Sequence, residues 1–286
     1  MTGFVQGTCE DMCPAFEIKL RTKEHLLHFF ELKPGEKYSP GIVIKAFSRS
    51  AAGVKTPRKT DLRTPRALEK TVEYLLKDIV LDKRKSFNFI YDFIFDRLRC
   101  VRQEIVMQNL DNRTTIKLLQ PTIMFLAYAR YRLREEPIDK FDPKICDQHL
   151  QECLKKVLCC YDEECIGENP DDSISAVQNR CFVEAIYQVF NIGSTESLNR
   201  AIHLSKDLKD NVLSLSITLS LEYYRGNFYK VLHGLQNLPH LLSAIGCLKL
   251  PEIRRKMYEV FSHAYNNKQL VVSIEWLKKI GLYASE

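Results

Sequence analysis

The sequence is poor in backbone breakers. Its 286 residues include 11 glycines and 11 prolines, and five of those prolines (14, 34, 40, 57 and 65) fall within the first 66 residues. That scarcity excludes collagen-like and low-complexity classes and leaves most of the chain free for long regular elements. No apolar run approaches the roughly 18 residues needed to span a bilayer, so no membrane partner is expected. Met1–Asp11 has no apolar stretch of the kind a secretory signal requires. Phosphate-loop patterns, a nucleophile elbow and an H-E-x-x-H zinc motif are all missing. Pairs such as Glu135/Glu136 and Asp171/Asp172 sit in polar stretches and read as solvated surface. Ten cysteines occur without repeating spacing. With no secretion signal, they read as free, mostly buried thiols in a reducing compartment. The reading is a soluble, intracellular protein that works by binding other macromolecules and is not an enzyme. It has no cofactor, no small-molecule substrate and no catalytic residues.

What is present is helical. Leu68, Val72, Leu75, Leu76 and Ile79 mark an amphipathic helix that starts near Thr64-Pro65, with Pro65 suited to a first turn. Phe87, Ile90, Tyr91, Ile94, Leu98, Val101 and Ile105 recur at helical spacing over six turns. Further helices are expected over 114–134, 144–161, 174–190, 194–205, 208–224, 228–235, 239–248 and 251–265, with Gly193, Gly226 and Gly246 at their stops. Such lengths and short joins predict an all-α fold of stacked helical hairpins. No fixed sequence period accompanies them. Gln269–Ser273 is the best strand candidate, and Val271–Glu286 reads as one more short helix and a stop. The expected organisation is a basic, partly extended arm over 1–66, a helical body over 67–265 and a final element over 266–286.

Charge is unevenly spread around a net of +6. Arg49–Arg66 carries six basic side chains (Arg49, Lys55, Arg58, Lys59, Arg63 and Arg66) against the single acid Asp61. Arg130, Arg132 and Arg134 interleave with Tyr128 and Tyr131. Cations mixed with aromatic faces are what single-stranded RNA binding uses; a cation-rich helix end is the other reading. These nine cations are the candidate contacts to nucleic acid or to a partner. Phe141–Asp172 is acidic, and Lys249–Lys279 is basic. Asp96, Arg99 and Gln103 should project opposite the apolar stripe of the long helix, with Arg97 and Arg102 at its flanks. Cys9, Cys13, His25 and His28 supply the donor set of a tetrahedral zinc site. The histidine spacing is one residue shorter than usual, and the alternative places Cys9 and Cys13 one turn apart on a short helix, with both histidines on a polar face.

Several stretches together resemble a known family. Gly7-Thr-Cys9-Glu10-Asp11-Met12-Cys13-Pro14, followed by Phe16-Glu17, resembles the opening motif of the SAC/GANP family (suppressor of actin and germinal-centre-associated nuclear protein). Phe47–Gly53 and Asp61-Leu-Arg63 resemble its next stretch. Asp96-Arg97-x-Arg99-x-x-Arg102-Gln103-Glu104, with Gln108 after it, resembles its central helix signature. Tyr223–Lys230, containing Gly226 and Asn227, is similar to a later helix pair. The resemblance implies a helical-repeat body related to the PCI architecture, followed by a winged helix, and a scaffolding role. Long members organise mRNA-export complexes, beside a PCI-like subunit and a small acidic protein, and bind RNA jointly with them. This chain lacks the nucleoporin-like repeats and acetyltransferase-like regions of those members, and its winged helix looks cut. Gly193–Leu198 and Leu235–Leu242 are most similar to the short branch linked to centrosome duplication and spindle assembly. The expected locations are therefore centrosome, spindle and cytoplasm, with the nucleus.

Overall fold

The computed structural model describes residues 4–48, 57–164, 170–204, 208 and 210–283, with the backbone alone for 170–174. Among these residues there are twelve α-helices and no β-strand. Two isolated bridges, Cys9 to Arg63 and Leu32 to Pro40, are the only extended pairings. The all-α expectation is therefore met, and Gln269–Ser273 is corrected: those residues form no strand, since no neighbouring segment offers them a ladder. No helix is long and apolar enough to cross a membrane. Two compact units divide the chain. The first comprises Met1–Phe125, Asp139–Phe141 and Cys159–Glu164; the second comprises Leu126–Ile138, Asp142–Leu158 and Cys165–Glu286.

In the first unit, α1 (Ala15–Lys23) follows Pro14 directly. α2 (Pro65–Tyr74) starts where the sequence reading places it. Thr64 is extended, its hydroxyl accepts the Ala67 amide at 3.3 Å, and Pro65 occupies the first turn, where its missing N–H costs nothing. A π-turn, Leu75–Ile79, closes α2. α3 (Phe87–Gln108) buries Ile90, Ile94, Leu98, Val101 and Ile105, an uninterrupted apolar stripe. It ends at Asn109, whose φ of 49° is the left-handed conformation that asparagine tolerates. α2 and the π-turn both pack on α3. The described residues 4–48 and 57–66 fall in the same compact unit as α2 and α3.

α4 (Asn112–Arg132) and α5 (Pro143–Glu163) contribute to both units. Each is started by an aspartate: Asp111 accepts the Thr114 amide at 2.9 Å, and Asp142 accepts that of Lys144 at 2.8 Å. The second unit continues with α6 (Pro170–Phe190), α7 (Thr195–His203), α8 (Asn211–Tyr224), α9 (Phe228–Gly234), α10 (His240–Cys247), α11 (Leu250–Ala264) and α12 (Ile274–Ile280). α6 packs against α7, α8 and α10, while α9 packs against α8 and α11. Val183, Ile186 and Val189 of α6, Leu213 and Leu219 of α8, Val231 and Leu232 of α9, and Leu242 and Ile245 of α10 are all buried. Arg254 of α11 closes the end of α12 by donating to the carbonyls of Gly281 and Leu282 at 2.7 and 2.6 Å.

The three glycines expected as helix stops divide into two kinds. Gly193 and Gly226 have φ of 87° and 80°, the left-handed conformation that ends a helix. Gly246 lies inside α10 and is corrected: its role is close approach, because a Cβ there would stand 2.6 Å from a Leu235 methyl. Gly226 has open space around it, whereas a Cβ at Gly193 would meet the Tyr223 ring at 2.5 Å. That ring is held by the Tyr223 hydroxyl, which donates to Glu252 at 2.7 Å and accepts from Lys256 at 2.7 Å. Gly226→Ala should therefore lower the unfolding free energy by about 1 kcal/mol, and Gly193→Ala by about 3 kcal/mol. Urea unfolding of the two variants checks the order.

Candidate functional site

α3 carries a second stripe besides its apolar one. Arg97, Cys100, Glu104 and Gln108 follow at steps of three, four and four residues and are all buried. Polar groups removed from water must find partners, and here the partners come from the first 64 residues. The Glu104 carboxylate accepts the Arg63 amide at 2.7 Å, Arg63 Nε at 3.0 Å, Arg63 Nη2 at 2.9 Å and Lys45 Nζ at 2.9 Å. Arg63 also donates to the Thr71 hydroxyl at 3.3 Å and the Cys100 sulfur at 3.4 Å. Gln108 accepts the Gly7 amide at 2.8 Å and donates to the Arg63 carbonyl at 2.9 Å. Gly7 lies so close to this segment that a Cβ would stand 2.6 Å from the carbonyl oxygens of Leu62 and Arg63. Cys9 donates its amide to Leu62 and accepts that of Thr64, at 3.0 and 2.9 Å.

A second knot lies further along α3. Glu31 is fully buried and binds both Arg21 and Arg97, the latter at 3.2 Å. It also accepts the amides of Ile44 at 3.1 Å and His28 at 2.9 Å. Asp96 pairs with Arg97 and accepts the Phe47 amide, Glu17 accepts that of Ala46 at 2.9 Å, and Gln103 donates to the Ser48 carbonyl at 2.9 Å. The Arg99 guanidinium stands 4.0 Å from the centre of the Phe47 ring. Residues 43–48 are therefore tied down by the carboxylates of Glu17, Glu31, Asp96 and Glu104, by Gln103, and by Arg21 and Arg99.

This placement corrects several sequence expectations. Arg63 was grouped with surface cations, but it is completely buried and cannot meet a phosphate without opening the unit. Arg97 flanks the stripe as expected, but it turns inward and is buried on Glu31. Cys9 and Cys13 do not share a short helix: Cys9 is in the extended bridge, and Cys13 is buried one residue before Pro14. His28 stacks on Phe89 and Phe93 at centroid distances of 5.0 and 4.5 Å, and His25 lies against Tyr38 at 4.6 Å. The four proposed zinc donors are thus engaged apart, and no group of three metal-ligating side chains is gathered among the described residues. Burial raises the Cys13 thiol well above its usual range and pushes Cys100 up to about 11, so both stay protonated.

The remaining candidates lie at the edge of this network or beyond it. Glu10 accepts the Thr64 hydroxyl at 3.2 Å, and Met12 accepts the Lys45 amide at 3.0 Å; Asp11 accepts the Cys9 thiol at 3.4 Å. Arg102 is half-buried. Arg58 pairs with Asp61 at 3.0 Å, while Lys59 and Arg66 are exposed. Arg49 and Lys55 lie outside the described residues. Arg130 is held by Asp147 at 2.7 Å, Arg132 reaches the Tyr128 hydroxyl at 3.2 Å, and Arg134 lies 4.2 Å over the Tyr131 ring. Asn227 starts α9 by accepting the Lys230 amide at 3.2 Å, and its side chain donates to Glu222 at 3.0 Å. Sequence reasoning missed Glu31, Lys45 and Arg21. Their signal was faint: scattered charges in a segment with no periodicity.

A family model described as "SAC3/GANP family" matches residues 12–286. The chain is 32% identical over 168 residues to "Protein xmas" of Drosophila melanogaster, covering 56% of this chain and 8% of that protein. It is 36% identical over 106 residues to "SAC3 family protein 1" of Schizosaccharomyces pombe, covering 36% and 10%. It is 33% identical over 134 residues to "SAC3 family protein B" of Arabidopsis thaliana, covering 45% and 8%. The matched stretch is at most 10% of these relatives' length.

Two predictions follow from the network. Glu104→Ala strands the Arg63 charge in the interior and should cost about 3–5 kcal/mol, part of which a paired Arg63→Met restores; denaturant unfolding of the single and double variants measures both. Burial, with Arg97 next, depresses the His28 pKa from 6.5 to about 4, while Glu31 opposes. Below pH 6.5 the unfolded chain takes up a proton that the folded chain refuses. Stability should therefore fall between about pH 6.5 and 4. His28→Asn keeps an acceptor at this turn start and removes the titration. A flatter melting temperature against pH in that window is the expected result.

Proposed function

The chain belongs to the SAC3/GANP family, and from that premise we propose that it is a non-catalytic helical scaffold, acting through protein partners in centrosome duplication and spindle assembly. The observation carrying this reading is the use to which the chemically capable side chains are put. Glu31, Glu104, Arg63 and Arg97 are paired with one another in the interior, and the buried thiols Cys13 and Cys100 are held protonated. What faces outward is contact chemistry. Tyr224 and Tyr229 flank the Gly226-Asn227 turn, and Trp276, Val271 and Ile274 stand exposed near the last helix. Aromatic side chains of this kind anchor protein interfaces. The centrosomal assignment rests on the likeness of Gly193–Leu198 and Leu235–Leu242 to the short branch.

The second reading is an mRNA-export type of scaffold that binds RNA together with a PCI-like subunit and a small acidic protein. The exposed cations Lys59 and Arg66, and Arg132 and Arg134 beside their tyrosines, favour it.

Affinity capture of the tagged chain from cell extract, with and without nuclease, separates the two. The scaffold reading predicts centrosomal and spindle proteins whose recovery is indifferent to nuclease. Export factors lost on nuclease treatment would replace it with the second. On that second reading, Lys59→Gln with Arg66→Gln should weaken RNA binding equally across sequences, and the salt dependence should fall by about 0.7 per lost phosphate contact.

A further inference from the structure

The turn that leads into α3 sets a serine directly after three consecutive cations, a sequence that occurs once in the chain. Lys83, Arg84, Lys85 and Ser86 follow one another, and all four are exposed. Ser86 is the residue before the first turn of α3, with an extended backbone at φ −64° and ψ 155°. Its hydroxyl makes no capping bond. By contrast, Thr64, Ser194, Asp210, Asn227 and Ser273 all accept an amide at the corresponding position. Arg84 is held by Asp82 through paired bonds of 2.9 and 2.6 Å, so its guanidinium is fixed beside the turn. Lys85 lies 4.6 Å over the Phe29 ring and has no ion pair among the described residues.

We propose that Ser86 is a phosphate-acceptor site for a kinase that selects basic residues on the N-terminal side of its serine. Three arguments converge. The hydroxyl is free and in solvent. The preceding cations occupy the three positions that an acidic substrate groove reads. At Ser86 itself the backbone is extended, between the bend at Arg84-Lys85 and the first turn of α3, so the hydroxyl is presented at a chain junction. In the transfer, the bond between the γ-phosphorus of ATP and its bridging oxygen breaks, and a new bond forms to Ser86 Oγ. ADP leaves, and the hydroxyl proton passes to the kinase's catalytic carboxylate. The product places a dianion beside Lys85 at the N-terminal end of α3, where the helix dipole favours negative charge. It also competes with Asp82 for Arg84. This inference is independent of the scaffold reading.

The test uses the full chain, a basophilic serine/threonine kinase and γ-labelled ATP, with the modified peptide located by mass spectrometry. Label on Ser86 is expected, with its rate of incorporation lowered roughly tenfold in Lys83→Gln/Arg84→Gln, whose fold is checked by circular dichroism. The phosphorylated chain should melt about 2–4 °C higher than the unmodified one. Label absent from Ser86, or incorporation indifferent to the two cations, would overturn the acceptor assignment. A melting temperature that is unchanged or lower would overturn the capping consequence.

Discussion

A carboxylate buried on a helix must be answered by cations, and in this protein Glu104 sets that demand. It has almost no contact with solvent, near the C-terminal end of α3. Arg63 and Lys45 answer it. Leaving either ion alone in the interior would cost several kcal/mol, so the pairing is a strict condition on the fold. Because Arg63 and Lys45 belong to segments that lack regular structure, the condition also fixes their path. Arg63 carries with it the Leu62–Thr64 strip, on which the Gly7–Cys9 backbone lies. Lys45 carries the 43–48 segment, which Glu17, Asp96 and Gln103 then fasten at its further end. Glu31 repeats the arrangement with Arg21 and Arg97.

The consequence for function is a division of labour within the first unit. The side chains that could do acid–base or nucleophilic chemistry hold the opening motif and the 43–48 segment onto α3. Exposed on the surface are cations such as Lys59 and Arg66 and the turn at Lys83–Ser86. In the second unit the described helices share an apolar core, and the buried Glu184 pairs with the half-buried Arg200 at 2.6 Å. Its outward face shows tyrosines at the Gly226-Asn227 turn and a cluster of apolar side chains around Trp276. A scaffold needs this combination of a rigid interior and surfaces rich in aromatic contacts.

Much of the fold was legible because helical signals are local. Thr64-Pro65 at the start of α2, the apolar spacing of α3 and the positive-φ glycines at 193 and 226 each act through their own neighbours. The buried network was not legible, because its partners lie about 40 to 100 residues apart, as Arg63–Glu104 and Gly7–Gln108 do. A helix that is charged on one side normally turns that side to water, so periodicity alone read Arg97 as lying at the margin of the stripe. Only the resemblance of the motifs around Gly7 and Asp96 hinted that the two stretches belong together. Gly246 failed for a related reason: close approach of Leu235 is a tertiary contact, invisible to a rule about helix ends.

The central claim is that α3 holds the N-terminal segments through Glu104. Amide hydrogen exchange tests it most directly, followed at Gly7, Cys9, Arg63 and Thr64 in the native chain and in Glu104→Gln. The account predicts slow exchange at all four in the native protein and a joint loss of protection in the variant, with the amides of α8 unchanged. Rapid exchange at these amides in the native chain, or protection that survives the loss of the Glu104 charge, would contradict it.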